Sequence, residues 1–381
     1  MTTRNRNPRR LAILATLFLG VLAATCGPQK ETIRIGVFSS LTGGTATFGI
    51  SSSQGVQLAA DEWNKKGGLL GKQIELIIED DQSKPEEAAM AVSKLINQNS
   101  VVAILGEVAS SRTLAAAPIA QKAGIPLITP ASTNPKVTKV GDYIFRVCYV
   151  DSFQGVVCAR FAVQKLGLKR LAILTDIKND YSVGLAGYFK QNIIDQGAQV
   201  VAEESYSEGD TDFRAQITSM KAANPDGIFI PGYYTEAGLI AKQVREQNIT
   251  VPLIGGDGWD SPRTVEIGGD AVEGSFFCNH YSAEDTSHLV QDFVSQYKAR
   301  YGYVPDAMAP LAYDAATLLF QSITKAGTTD GKAVRDAIAA TKDFPGVCGS
   351  VTMDAERNAR KSAVMLQISG GKYKVYDVIY P

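Results

Sequence analysis

The sequence predicts an α/β protein of two lobes, each built around a doubly wound parallel sheet. Three observations carry this reading. From Glu31 onward, short β-rich runs alternate with longer helical runs, the pattern of a mostly parallel sheet covered by helices on both faces. The alternation starts again after about residue 150, with similar segments in the same order. The chain has 381 residues, more than one hydrophobic core usually serves.

In the first lobe, Ile33–Phe38 reads as a strand, and Ser51–Lys65 as a helix with Val56, Leu58, Ala59 and Trp63 on one side, stopped by Gly67 and Gly68. Strand Gln73–Glu79, helix Glu86–Asn97, strand Val101–Leu105, helix Thr113–Lys122 and strand Pro126–Thr129 follow. Gly124 gives the helix stop and Pro126 opens the next strand. In the second lobe, strands Arg170–Thr175, Gln199–Ser205, Gly227–Ile230 and Pro252–Ile254 alternate with helices Ser182–Gln196, Asp212–Ala223 and Glu236–Gln247. Lys122-Ala-Gly-Ile-Pro-Leu-Ile-Thr-Pro130 and Gln247-Asn-Ile-Thr-Val-Pro-Leu-Ile-Gly255 read almost in parallel, an echo of one fold in two lobes rather than a short-period repeat. Helices His288–Arg300, Pro310–Lys325 and Lys332–Thr341, then strands Ser350–Met353, Ala363–Ile368 and Tyr373–Ile379, complete the chain. This tail is too long to decorate one lobe and too short for a third, so the chain is expected to cross between lobes several times. Such crossings form a hinge suited to clamshell closure.

The first thirty residues differ in kind. Arg4, Arg6, Arg9 and Arg10 precede an apolar run, Leu11 to Ala24, with no acidic residue before Glu31. The run falls short of the about 20 apolar residues that span a bilayer and reads as a secretory signal over residues 1–26. Cys26 sits where bacterial lipoproteins are acylated, although Leu22-Ala-Ala-Thr25 is an imperfect approach to it. The expected location is therefore periplasmic or cell-surface, tethered by lipid at Cys26. A net charge of -1 gives no basic excess for nucleic acid. Cys148, Cys158, Cys278 and Cys348 allow three pairings, and no Cys/His cluster suggests a metal.

In doubly wound sheets, ligands bind beyond the carboxyl ends of the strands. Those positions hold a coherent set. Gly106-Glu-Val-Ala109-Ser110-Ser-Arg112 follows one strand and enters a helix, whose free N–H groups favour an anion. Thr129-Pro-Ala131-Ser132-Thr133-Asn-Pro135 follows the next strand and supplies further hydroxyls. Each alone reads more readily as a cap or a turn; together they suggest a carboxylate seat. In the second lobe, Asp257 stands among Gly255, Gly256 and Gly258, placed to accept charge-assisted hydrogen bonds from an ammonium. Phe48, Tyr181, Tyr233 and Tyr234 occupy further strand-end loops. Enzyme motifs are missing: there is no G-x-S-x-G and no G-x-G-x-x-G after a strand. Gly67-x-x-x-Gly71-Lys72 and Gly327-x-x-x-Gly331-Lys332 are one residue short of a phosphate loop.

Ile35-Gly-Val-Phe-Ser-Ser-Leu-Thr-Gly43, Gly55-x-x-Leu-Ala-Ala-Asp-Glu-Trp-Asn64, Glu79-Asp-Asp81, Thr129-Pro-Ala-Ser-Thr-Asn-Pro135, Asp180-Tyr-Ser-Val-Gly184 and Gly232-Tyr-Tyr-Thr-Glu236 resemble the Leu/Ile/Val-binding proteins of branched-chain amino-acid ABC transporters. The likeness runs in order from about Thr32 to the C-terminus. It implies a type I periplasmic-binding fold: two Rossmann-like lobes with parallel central sheets joined by a three-strand hinge, the crossings near Cys148, Cys278 and Cys348. Lobe one would comprise residues 32–148 and 279–346, and lobe two residues 149–278 and 347–381. The resemblance assigns the carboxylate contacts to Ser110 and Thr133, with backbone help around Ala109 and Ala131 and with Ser132 in the same turn. It assigns the second-lobe tyrosines to Tyr181 and Tyr233, the ammonium acceptor to Asp257, and the lining aromatic to Phe48. Asp257 is shorter than the family's usual Glu, and Glu107 and the bulky Trp259 leave the side-chain preference open. A Cys278–Cys348 bridge at the hinge is one option. The implied function is non-enzymatic and needs no cofactor: a monomer captures a small amino acid, branched-chain or otherwise apolar, and presents it to transporter permease subunits. The alternatives are a binder of amides, urea or aromatic acids, and a ligand-sensing adaptor.

Overall fold

A computed structural model describes residues 1–3 and 31–379; Cys26 and nearly all of the expected signal lie outside the described residues. The first sheet takes its strands from β1 (Thr32–Ser39), β2 (Gln73–Asp80), β3 (Ala103–Leu105), β4 (Leu127–Thr129) and β5 (Ile144–Arg146). They run parallel in the order β2-β1-β3-β4-β5. Ile33, Ile35 and Val37 face one core, shared with Leu319 and Ile323 of the helix Met308–Ala326. Phe38, Ile104 and Leu127 join the opposite core with Val92 and Ala116. Apolar residues on both faces explain why these strands read as near-continuous hydrophobic runs.

The second sheet repeats the arrangement. β6 (Arg170–Asp176), β7 (Gln199–Tyr206), β8 (Gly227–Ile230), β9 (Leu253–Gly255) and β10 (Phe276–Asn279) follow the order β7-β6-β8-β9-β10, strand for strand the order of the first sheet. The hairpin β11 (Phe344–Gly346) and β12 (Gly349–Val351) stands apart, and β13 (Ala363–Ser369) and β14 (Lys372–Ile379) extend the second sheet antiparallel beyond β10. In each sheet the order reverses between the first strand and the third. This is the switch point where ligands of such sheets bind.

After β10 the chain returns to the first lobe, where the helices His288–Tyr301 and Met308–Ala326 pack against Ala46–Lys65. It leaves again later than the expected boundary at 346/347. Val351 and Met353 still belong to the core of Ile35 and Val37, and Arg146 N donates to Arg357 O at 3.2 Å. The third crossing therefore falls between Asn358 and Ala363, not at Cys348. A short apolar strand carries no label for the sheet it will join.

Three further differences have local causes. The helix Asp151–Arg160, continued by a π-helical turn Phe161–Lys165, was not evident in the sequence. Val157, Cys158, Ala159, Phe161 and Ala162 are all buried, so no polar face alternates with an apolar one. The first helix begins at Ala46 rather than Ser51, because its opening turns are rich in Ser and Gly, which mask helical propensity. Finally, the four described cysteines are buried free thiols, so no Cys278–Cys348 bridge exists. Cys348 N donates to Asp314 Oδ2 at the β11–β12 turn, whereas Cys278 Sγ lies 3.5 Å from Tyr149 Oη. Burial pushes the Cys148 thiol up to about 12. Among the described residues no helix is long and apolar enough to cross a membrane.

Candidate ligand-binding site

The two lobes meet across a closed cleft. Thr47 Oγ1 donates to Tyr234 Oη at 2.8 Å, Thr235 Oγ1 to Gly44 O at 3.2 Å, and Asn134 Nδ2 to Asp180 O at 2.7 Å. Asp180 N donates to Ser111 Oγ at 2.8 Å. Between them remains a narrow space lined by Phe48, Val108, Ser110, Ala131, Thr133, Tyr181, Tyr233, Asp257, Gly258 and Met308.

Lobe one contributes donors. β3 leads into the helix Ser110–Ala123, and β4 into the turn Pro130–Pro135. Ser110 Oγ accepts from Asn134 N at 3.2 Å, which leaves its own proton for a ligand. Thr133 Oγ1 is buried without a partner. Two hydroxyls at adjacent strand ends, one above a helix N-terminus, form a seat for a carboxylate.

Behind the seat lies a buried ion pair. Glu107 Oε2 accepts from Arg112 Nε at 3.0 Å and from Ala109 N at 2.5 Å, while Glu107 Oε1 accepts from Ser40 Oγ at 2.9 Å. Glu107 therefore shapes the loop and does not face the cleft. Ala109 N is engaged by Glu107, and the Ala109 carbonyl accepts from Thr113 N. The Ala109 N–H is thus already engaged within lobe one. Ser132 is likewise turned inward, its hydroxyl on Glu107 O, Val108 O and Thr113 Oγ1. Their neighbours Val108, Ser110, Ala131 and Thr133 line the space.

Lobe two contributes the acceptor. Asp257 opens a short 3₁₀ turn after β9 and is almost fully buried. Gln154 Nε2 donates to its Oδ1 at 2.8 Å, and His280 Nε2 lies 2.9 Å from its Oδ2. Burial pulls the His280 imidazole below its ordinary range, against the hydrogen bond and charge of Asp257; the neutral ring donates from Nε2. His280 also stacks on Tyr149, centroids 3.7 Å apart. The glycines around Asp257 have a steric cause. A Cβ on Gly256 would stand 2.4 Å from Tyr181 Oη, and one on Gly258 would stand 2.6 Å from Gly232 O. Only bare backbone lets both tyrosines close over the turn.

Aromatic rings form the remaining wall. Tyr181 and Tyr233 stack in parallel at 5.4 Å, and Phe48 meets Tyr234 edge-on at 4.8 Å. Tyr181 Oη accepts from Gly258 N at 3.2 Å. Trp259, expected near the ligand, points the other way: it is fully buried in the second lobe and donates Nε1 to Ile230 O at 3.0 Å. Sequence reasoning missed Val108 and Met308 as lining residues, and Gln154 and His280 as partners of Asp257. Val108 could have been found from its place beside Ser110. The others come from a helix and a crossing that no local pattern tied to the cleft.

A model of the periplasmic binding protein family matches residues 32–372. The chain is 32% identical to the Leu/Ile/Val-binding protein BraC3 of Rhizobium johnstonii over 84% of its own length and 87% of the relative's. Among solved structures, the leucine-binding protein LivK of Thermotoga maritima superposes with a TM-score of 0.89 at 40% identity, covering 92% of this chain and 99% of that one. The branched-chain amino-acid substrate-binding protein LivJ of Streptococcus pneumoniae, solved with isoleucine, gives 0.88 at 36%, covering 92% and 100%. By fold, by strand order and by these likenesses, the chain belongs to the periplasmic binding proteins, in the branch of the Leu/Ile/Val-binding substrate-binding proteins of ABC transporters.

Proposed function

We propose that this protein captures a branched-chain or similarly apolar amino acid between its lobes and delivers it to the permease subunits of an ABC transporter. The observation that carries the reading is the polarity of the closed cleft: free hydroxyls of Ser110 and Thr133 on one lobe, the buried Asp257 carboxylate on the other, and apolar Phe48, Val108 and Met308 around a small space. A zwitterion satisfies both ends, and an aliphatic side chain suits the wall between them. An aromatic acid or an amide would leave Asp257 buried without a cationic partner. Closure follows because the ligand touches both lobes only in the closed state, so its affinity differs between open and closed forms.

The family is extracytoplasmic and non-enzymatic in kind. Arg4–Ala24 directs export, and Cys26 carries a lipid anchor; the basic start, the short apolar run and the cysteine that follows it support this. The protein acts as a monomer. Mass spectrometry of the mature N-terminus from the native host tests the anchor, and a released chain starting elsewhere than Cys26 overturns it. A thermal-shift screen of amino acids, amides and aromatic acids, followed by calorimetry, tests the ligand class. The expected outcome is a strong hit among leucine, isoleucine and valine. A sole hit among amides or aromatic acids overturns the reading.

A further inference from the structure

Lys361 stands where lysines are rarely found. It lies on the third crossing between the lobes, is only 4% exposed, and its Nζ has no hydrogen-bond partner among the described residues. Lysines are almost never fully buried unless paired, and an unsatisfied buried polar group in a folded protein calls for a reason. Asp314, which lies within range of the Lys361 charge, does not supply it. The Asp314 carboxylate accepts instead from Val347 N at 2.7 Å and Cys348 N at 2.9 Å.

The strand register does supply one. β10 pairs antiparallel with β13, and its last residue, Asn279, stands opposite Val364. Carried one step past that pair, the register puts His280 opposite Ala363. Residues directly opposite share a face of the sheet, and so does the position two further along, at about 7–8 Å on the diagonal. Cys278, Ala363 and Met365 lie in one core with Tyr149, so His280 and Lys361 fall on that inner face, within reach of a four-carbon stem.

Their unpartnered atoms are complementary. His280 Nε2 lies 2.9 Å from Asp257 Oδ2, and His280 Nδ1 is buried without a partner. With the ring proton on Nε2, Nδ1 is an acceptor, whereas an ammonium only donates. One water between two such groups satisfies both. The charges agree with this placement. Burial lowers the His280 imidazole most, the hydrogen bond and charge of Asp257 oppose it, and Lys361 lowers it further. The ionisable groups around the ring are Asp257 from the turn after β9, Tyr149 stacked on it from the first crossing, and Lys361. Cys148, Asp314 and Cys348 lie in turn within range of Lys361. All three crossings thus meet behind one carboxylate.

We propose that Lys361 is a positioning residue for the ligand's ammonium: it donates through one water to His280 Nδ1, and so commits the imidazole proton to Nε2 and to Asp257. The inference rests on the amino-acid reading above. It ties the third crossing, where the hinge bends, to the residue that grips the ligand.

Two measurements on the mature protein test this. The first is calorimetry with leucine in the wild type and in Lys361→Met, which keeps an unbranched side chain without the donor. The ratio of variant to wild-type Kd should grow by about tenfold between about pH 7 and about pH 5. A His280 freed of Lys361 takes up a proton over that range and turns a cation toward the ligand's ammonium. Groups elsewhere titrate in both proteins and cancel in the ratio. A ratio that does not change with pH, whether it is one or larger, means a structural role or none and overturns the proposal. The second is nitrogen NMR of the imidazoles, of which the chain has two, His280 and His288. Wild-type His280 should stay neutral with its proton on Nε2 down to about pH 5, and Lys361→Met should move the Nδ1 resonance. A resonance that does not move overturns the proposal; so does a wild-type proton on Nδ1, even should the variant not fold. A wild type that binds no amino acid defeats the underlying reading, and the spectrum then still decides on Lys361.

Discussion

His280 holds Asp257 from behind: its Nε2 lies 2.9 Å from Asp257 Oδ2, at the end of the ring stacked on Tyr149. With Gln154 on the other oxygen, the carboxylate is fixed in the cleft wall before any ligand arrives. Asp257→Ala should therefore abolish leucine binding, raising Kd by about a hundredfold or more, as for loss of one member of a buried charge pair. Its circular dichroism should stay native. Calorimetric affinity within a few-fold of wild type would show that the ammonium acceptor lies elsewhere.

The same contact gives a pH signature. The folded His280 has its pKa lowered by burial, while the unfolded residue titrates near pH 6.5. Below that value the unfolded chain takes up a proton that the native site refuses. The stability from neutral His280 is full above about pH 6.5 and is lost as pH falls toward the folded value. Buried acids act in the opposite sense. Asp81, raised to about 7, and Asp314, raised to about 6, both chiefly by burial, bind protons more tightly when folded and so favour the native state on acidification. Urea unfolding of wild type and His280→Gln as pH is lowered from neutral separates the two. The wild type should lose more stability than the variant, and parallel curves would remove His280 from the account.

Closure should depend on Tyr234. Its hydroxyl receives Thr47 Oγ1 at 2.8 Å and Thr47 N at 3.2 Å across the cleft, contacts that exist only with the lobes together. Tyr234→Phe removes about 0.5–1.5 kcal/mol per hydrogen bond. For the two bonds together the expected cost is about five- to hundredfold in Kd, appearing as faster dissociation in stopped-flow measurements. Ligand-free stability should hardly change, because the open form lacks these bonds.

Arg112 and Glu107 form the buried pair behind the carboxylate seat, at 3.0 Å and each nearly inaccessible. Arg112→Ala leaves Glu107 charged and unpaired. The expected loss of folding stability is about 3–5 kcal/mol, read by chemical denaturation. A loss under about 1 kcal/mol would mean that Glu107 neutralises or finds another partner.

Much of this protein was legible in its residues. The strand and helix order follows from alternation and from stops such as Gly124 before Pro126, since periodicity and turn chemistry are local properties. Ser110, Thr133 and Asp257, which line one cleft, could be named as candidates because strand ends in a doubly wound sheet are where ligands bind, and strand ends can be read locally. The seven residues from Thr129 to Pro135, by contrast, do not announce that Thr133 faces the cleft while Ser132 turns inward. That choice belongs to Glu107 O, Val108 O and Thr113, which capture one hydroxyl and leave the other.

By itself, then, the sequence determined the two-lobed α/β plan, the strand-end seats and the opposite charges that would grip a zwitterion. Only the tertiary structure decided which side chains meet. Asp257 lies 103 positions from Gln154 and 23 from His280. The physical reason is one of range. Propensity, capping and turn geometry act over a few residues, whereas burial and unpaired charge are set by what the rest of the chain brings alongside.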